Sequence, residues 1–308
     1  MKDYILSRVL LACITILFVT TLVFFLIHLL PGDPIDMLLG ENAFSADREA
    51  LRQQLGLNLS VGLQYLHFLA GLAQGHVGRS IFTGEGVAGL VASRYPATLA
   101  LAMLAMFFAV IISIPVGILA ASRVGRVVDG MAMFGAVLGM AVPTFLSGPL
   151  LILLFAVWLG WLPVSGREEW GSVILPALTL GLPMAAILTR LTRKSMLNIL
   201  SEDFVRAAAA KGVSRWKVLC WHALMPAANP IISVAGLQLG ALLTGAIVTE
   251  KIFSWPGVGS LLVKGLLSRD YPVVQGCLLA IGFTYVAVNL ITDLLYAKLD
   301  PRVRLGTK

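Results

Sequence analysis

Long apolar runs decide what this chain can become. Runs of about 20 residues, enough to cross roughly 30 Å of hydrocarbon, lie near residues 9–30, 98–121, 132–158, 173–191, 227–249 and 273–297. Inside hydrocarbon a segment must satisfy its own backbone hydrogen bonds, so spans of this length are helices. The fourth run is the weakest, because Pro176 and Pro183 interrupt it. Composition agrees: 58% of residues are hydrophobic and only 13% charged, against about 25% charged in a soluble domain. The expected architecture is an all-α polytopic membrane protein with six transmembrane helices.

Orientation follows from the basic residues. With the N-terminus inside, the inner pieces are 1–8, 122–131, 190–226 and the C-terminal tail. These pieces and the adjoining helix ends hold 15 of the 23 Lys and Arg residues and 6 of the 16 Asp and Glu. The inner balance is therefore +9 and the outer balance −2. The isoelectric point of about 9.5 reflects this bias. It does not indicate nucleic acid, since no basic stripe is interleaved with exposed aromatics.

The chain divides unevenly into a first span with a large outer segment (1–95), a five-span core (96–297) and a short inner tail (298–308). The outer segment is polar, with short amphipathic pieces at 45–56 and 61–72. The N-terminal run is too long for a signal-peptide core and ends in PGDP without a small-x-small cleavage pattern, so a retained anchor helix is expected. No internal repeat is present.

Enzymatic chemistry is missing from the pattern. The chain has no GxxxxGK[ST], hence no phosphate-cradling loop, and no HExxH or GxSxG. His28, His67, His76 and His222 are scattered, and Cys13, Cys220 and Cys277 fall in separate spans and loops. Neither set suggests a metal cluster or a disulfide framework. A catalytic site and a bound cofactor are therefore not expected.

The inner loop at 193–226 carries the strongest local signal. Within it, DFVRAAAAKGVSRWKVLCWHALMP (203–226) reads as two short helices broken at one point. Ser201 is expected to cap the first, with Glu202 and Asp203 in its first turn where the helix dipole favours acid. Ala207, Ala208, Ala209 and Ala210 propagate it, and Lys211 with Gly212 supply a basic last turn and a stop. Ser214 can cap the second helix. The bland alternative is a solvated connector. A helix pair with a side-chain-poor face and a cationic rim is also shaped for another protein's groove.

Other polar residues near the spans have two readings each. Asp293 lies within the last run and is either functional or paired with Lys298 and Arg302 at the interface. Glu250 and Lys251, beside the turn IFSWPGVG, either line an outer gate or anchor the span at the interface. Gly236, Gly240 and Gly245, with Ala241 and Thr244, suit close helix packing, within the chain or against another subunit.

An ordered series of motifs resembles one family from end to end. The pieces are LPGDP (30–34), LGL (55–57) with QY (64–65), GRS (78–80), PATL (96–99) and LGWLP (159–163). They continue with ILPALTLG (174–181), TRLTRKSM (189–196), EDFVRAAAAKG (202–212), EKIFSWPGVG (250–259), RDYPVVQG (269–276) and NLITDLLYAKLDPRVR (289–304). Together they are similar to the permease subunits of binding-protein-dependent ABC importers, in the dipeptide, oligopeptide and nickel group that also includes glutathione permeases.

That resemblance implies a type I ABC importer transmembrane fold in the cytoplasmic (inner) membrane, with both termini cytoplasmic. It implies half of a peptide pathway, completed by a second homologous permease, with glutathione or a nickel complex as the alternative cargo. Two ATP-binding subunits or domains would hold ATP and Mg, and a periplasmic or lipid-anchored binding protein would deliver substrate. The inner loop would be the EAA-type element that docks into an ATPase cleft. Arg206, Ala207 and Ala208 occupy the motif's first three places and Gly212 its glycine; Asp203, Phe204, Lys211 and Arg215 complete the expected contact set. Arg206 replaces the generic Glu, as is usual in this group. The four-Ala run departs from the group's usual bulkier residue at the position of Ala207, and His76 stands where an acid is common.

Overall fold

Apolar composition and the need to satisfy backbone polar groups in hydrocarbon give a structure built from helices. The computed structural model describes residues 2–28, 35, 39, 44–54 and 56–299. LPGDP at 30–34 and the tail from residue 300 onward, with Arg302 and Arg304, lie outside these residues. The helices are α1 (Lys2–His28), α2 (Ser45–Gln54), α3 (Val61–Ala73), α4 (Val87–Ser122), α5 (Val127–Ala141) and α6 (Thr144–Trp158). They continue with α7 (Ile174–Leu200), α8 (Asp203–Ala210), α9 (Arg215–Ile252), α10 (Val258–Leu267) and α11 (Tyr271–Leu299). The second half of α6 (Ile152–Trp158) and a stretch near the start of α9 (Val218–Ala223) are π-helical. No strand occurs among the described residues, where a single bridge joins Arg79 to Gly86.

Among the described residues five helices are long and apolar enough to cross a membrane, or six if a bent pair is counted as one span. The span expected at 132–158 falls on that pair, in which the chain bends by 108° between α5 and α6. The bend falls at Val142–Pro143, where the missing proline N–H and the restricted residue before it end the helix. The short apolar helix α10, absent from the expected spans, follows α9 at its far end. The boundary expected at residues 95 and 96 falls inside α4, which begins at Val87 and runs unbroken for 36 residues.

The run that looked weakest is the centre of the bundle. α7 has the lowest hydropathy of the five spans, 1.6, yet 61% of its apolar window is buried, against 22–28% for the others. Its Thr179, Thr189 and Thr192 are buried, so reduced hydropathy here marks contact with protein instead of lipid. Pro176 sits in the first turn, where no intrahelical N–H bond is lost. At Gly181 a Cβ would come within 2.6 Å of the Ala105 carbonyl, so α4 and α7 approach as closely as their backbones allow.

The main core joins Leu101, Ala105 and Ala109 of α4, Leu180, Met184 and Leu188 of α7, and Leu242, Leu243 and Ala246 of α9. A second cluster gathers Val87 and Val91 with Val258, Leu262, Val273, Val274 and Cys277. A third, at the α8 end, packs Ile118 and Ala121 against Met196, Leu219 and Ala223. The three glycines of α9 pack within the chain, whereas Ala241 and Thr244 are exposed. Gly236 abuts Thr292, Gly240 abuts Tyr285, and Gly245 abuts Leu180.

Candidate functional site

α8 is an eight-residue helix held to the body by one side chain. Val205 is buried, while Asp203, Phe204, Arg206, Ala207, Ala209, Ala210 and Lys211 are exposed and Ala208 is half-buried. Helical spacing places Phe204, Ala207 and Lys211 on the side away from Val205. The result is an open face with one aromatic ring, small methyl groups and a cationic end. Arg206 and Asp203 face each other at 3.7 Å in solvent, a pair that contributes little.

The helix ends as the sequence requires. Gly212 has φ +82°, the Gly212 N–H donates to Ala209 O at 3.0 Å, and the Val213 N–H donates to Ala208 O at 3.3 Å. This is a Schellman stop, which favours glycine at the left-handed position. A Cβ at Gly212 would meet nothing within 4 Å, so the space beyond it is open. Ser201 has a different role from the one expected. It closes α7, its Oγ donating to the Asn198 carbonyl at 2.7 Å, and Glu202 precedes α8 in extended backbone without a side-chain cap bond. A hydroxyl at a helix end can serve an orphan carbonyl behind it as readily as an N–H ahead. Ser214 stands at the cap position of the next helix but makes no side-chain cap bond.

Arg215 is exposed and reaches across to α4. Its Nη2 donates to the Ser122 carbonyl at 2.8 Å, the last residue of α4, so a cation sits at the negative end of that helix. The second short helix read from the sequence is the beginning of α9, so the loop passes directly into a spanning helix.

A polar knot occupies the opposite end of the bundle. Glu250, at the end of α9, is fully buried. The Thr98 Oγ1 donates to its Oε1 at 2.6 Å, and the Ser260 N–H donates to its Oε2 at 2.9 Å. Thr98 in turn accepts the Val258 N–H at 2.8 Å. The Trp255 Nε1 donates to the Ala97 carbonyl at 2.9 Å, and the Arg167 guanidinium lies 5.7 Å from the Trp255 ring centre. Glu250 is therefore neither a surface anchor nor open to a pathway in this conformation. Nearby, Asp270 accepts Ser80 Oγ at 2.5 Å and the Ile81 N–H at 3.1 Å. Thr98 and Asp270 were not singled out individually in the sequence; their only signal was membership in PATL and RDYPVVQG.

At the α8 end, Asp293 pairs with Arg8 at 3.1 Å, which joins α11 to α1; the side chains of Lys298 and Arg302 lie outside the described residues. Arg193 forks onto Asp129, joining α7 to α5. Among the described residues, no three His, Cys, Asp or Glu side chains gather to hold a metal ion, and the three cysteines are free.

Residues 113–305 match the family described as binding-protein-dependent transport system inner membrane component, and residues 1–102 match that family's N-terminal part. The chain is 43% identical over 304 residues to the glutathione transport system permease protein GsiC of Escherichia coli O6:H1, covering 99% of each chain. It is 42% identical, with the same coverage, to the protein of that name from Shigella flexneri serotype 5b. A solved structure described as inward-facing conformations of the MetNI methionine ABC transporter aligns with TM-score 0.59 at 17% identity. That alignment covers 69% of this chain and 97% of the other; it supports the fold alone.

Proposed function

The chain belongs to the family of binding-protein-dependent transport system inner membrane components, the permease subunits of ABC importers, and from that premise we propose that it forms half of an import pathway for glutathione or a peptide of similar size. It is a multi-pass protein of the inner membrane, and its family works with a substrate-binding protein and ATPase partners. In this reading a second homologous permease supplies the other half. ATP and Mg stay on two ATP-binding subunits, and membrane lipid surrounds the exposed apolar helix faces. The 43% identity to glutathione permeases across the full chain supports a tripeptide over a nickel complex.

One observation carries the coupling role. α8 presents Phe204, Ala207 and Lys211 to open space while Val205 and the Arg215 bond hold its base to the bundle. In this reading both termini and α8 are cytoplasmic, and the open face enters a cleft of an ATP-binding subunit. Asp203, Arg206 and Lys211 reach its polar groups, and the small Ala207, Ala208 and Gly212 let its backbone approach. Closure of the ATPase pair on nucleotide then moves α8, and with it the start of α9. No chemical step falls to this chain; it converts a partner's movement into alternating access.

Reconstitution tests the proposal. The chain, its partner permease, the ATPases and the binding protein are placed in vesicles, and uptake of glutathione, dipeptides, longer peptides and nickel chelates is measured. ATP-dependent uptake of glutathione or a short peptide supports the reading, and uptake of the nickel chelate alone defeats it. The isolated chain is expected to hydrolyse no ATP.

A further inference from the structure

α4 is bonded at two widely separated points to two different working parts. At one end the Ser122 carbonyl accepts Arg215 of the coupling loop at 2.8 Å. Roughly three turns in from its start at Val87, Thr98 donates to Glu250 at 2.6 Å and accepts the Val258 N–H at 2.8 Å, while the Ala97 carbonyl accepts Trp255. Thr98 and Ser122 stand roughly 36 Å apart along one continuous helix at about 1.5 Å per residue. The helix therefore crosses the whole membrane between them.

The Thr98 bonds do more than fill space. A single hydroxyl serves α9 through the Glu250 carboxyl and α10 through the Val258 amide, so it fixes how the α9–α10 hairpin sits on α4. The hairpin is packed against that carboxyl: any side chain at Gly257 would collide with Glu250, and at Gly259 a Cβ would lie 3.0 Å from its Oε2. Such a joint has few alternative arrangements, and packed elements with hydrogen-bonded joints carry coupling between distant sites.

We propose that Thr98, acting through Glu250, is a positioning residue for transport: it ties the outer α9–α10 hairpin to α4, so that movement of the coupling helix, delivered to α4 through Arg215 and Ser122, reaches that hairpin. This deepens the coupling role of α8 given above and rests on it. α9 connects the same two parts covalently, so the hairpin is driven from α4 and α9 together. Loss of the α4 joint lets α9 move without setting the hairpin.

The test uses the complete transporter in vesicles with loaded binding protein, reading substrate uptake and ATP turnover together. Thr98→Val keeps the shape but removes both hydrogen bonds. Uptake is expected to fall at least about tenfold, the effect of losing a hydrogen bond to a carboxyl group. ATP turnover continues, so more ATP is spent per imported molecule. Thr98→Ser restores the hydroxyl and is expected to restore the wild-type ratio; a role in packing the Thr98 methyl would not be rescued this way. Arg215→Ala breaks the joint at the other end, is expected to raise the same ratio, and decides the matter if the Thr98→Val complex does not assemble. Coupled, wild-type uptake by Thr98→Val, or by Arg215→Ala where that variant decides, overturns the inference. Failure of Thr98→Ser to rescue also overturns it. Gly212→Trp in the same assay separates the two readings. If that variant is uncoupled while Thr98→Val is normal, the α8 reading stands and the α4 joint falls. If Gly212→Trp is itself normal, the coupling role of α8 fails.

Discussion

Arg193 closes on Asp129 with two parallel hydrogen bonds, Nε to Oδ1 at 2.6 Å and Nη2 to Oδ2 at 2.8 Å. Asp129 is buried, and its Oδ2 also accepts the Gly125 N–H at 3.0 Å. The fork pins the first turn of α5 to α7, beside the coupling end of α4. Asp129→Asn removes the charge and turns one acceptor into a donor facing another donor. We expect a loss of about 2 kcal/mol, typical of a charge-assisted hydrogen bond, read as a lowered unfolding temperature in detergent. Pairing Asp129→Asn with Arg193→Met is expected to cost less than the sum of the two single changes, since an unpaired charge is then no longer left behind.

Gly212 gives a graded test of the loop. Its φ of +82° is open to glycine, tolerated by Asn and strained for branched residues. Gly212→Asn is expected to retain most uptake, and Gly212→Val to lose about 1–2 kcal/mol of local stability. Gly212→Trp combines the strain with a large ring in the open space above the helix stop. It is expected to abolish uptake while the protein still inserts in the membrane, as judged by its yield in purified membranes. Wild-type uptake by the Trp variant returns the loop to the status of a solvated connector.

Hydrophobic run length located the spans well because desolvation dominates there, but it misjudged two of them, each for its own reason. Run length says nothing about what a helix packs against. α7 looked weak because its threonines and prolines lower hydropathy, yet those residues are tolerated where the neighbours are protein. The α5–α6 run looked continuous because Val142–Pro143 is apolar, although Val142 takes extended backbone before Pro143 and ends the helix there. In the candidate site, helix propensity and the Gly212 stop were legible from local chemistry alone. The bond from Arg215 to α4 and the burial of Glu250 were not, since both depend on α4, more than ninety residues earlier in the chain for each, and no local pattern encodes such a contact. The quoted motifs proved to meet in space: PATL holds EKIFSWPGVG, and GRS holds RDYPVVQG.

Close helix approach makes a second stability prediction. The α4–α7 contact at Gly181 leaves no room for a Cβ, which would sit 2.6 Å from the Ala105 carbonyl. Gly181→Ala therefore forces the backbones apart and is expected to cost about 1–3 kcal/mol, as overpacking does. Gly130, where a Cβ meets nothing within 4 Å, serves as the control, and Gly130→Ala is expected to leave the unfolding temperature unchanged or slightly raised. Equal effects at the two sites would contradict the packing described for α4 and α7.

Orientation is checked by labelling. A reporter at Gly75, between α3 and α4, is expected outside the inner membrane, and one at Ser201, between α7 and α8, inside it. The expectation comes from the excess of Lys and Arg on the α8 side. Labelling of Ser201 from outside in intact cells would reverse the bundle and remove α8 from the ATPase side.

Asp270 offers a prediction with two grades. Its Oδ2 accepts the Ser80 hydroxyl at 2.5 Å and its Oδ1 the Ile81 N–H at 3.1 Å, while Ser80 Oγ also accepts the Thr83 N–H at 3.0 Å. Asp270 and Ser80 are both buried, so neither can turn to water. In Asp270→Asn the amide oxygen can stay on Ile81, but the NH2 then faces the Ser80 oxygen, whose own hydroxyl proton loses its acceptor. One hydrogen bond to a carboxyl is weakened, and a loss of about 1–2 kcal/mol is expected. Asp270→Ala leaves both the Ser80 hydroxyl and the Ile81 N–H without a partner, and unsatisfied buried donors cost more, about 3 kcal/mol in total. Thermal unfolding of the purified complex ranks the three proteins. A wild-type unfolding temperature for Asp270→Ala would mean that the segment around Ser80 is not fastened to the start of α11 by this carboxyl.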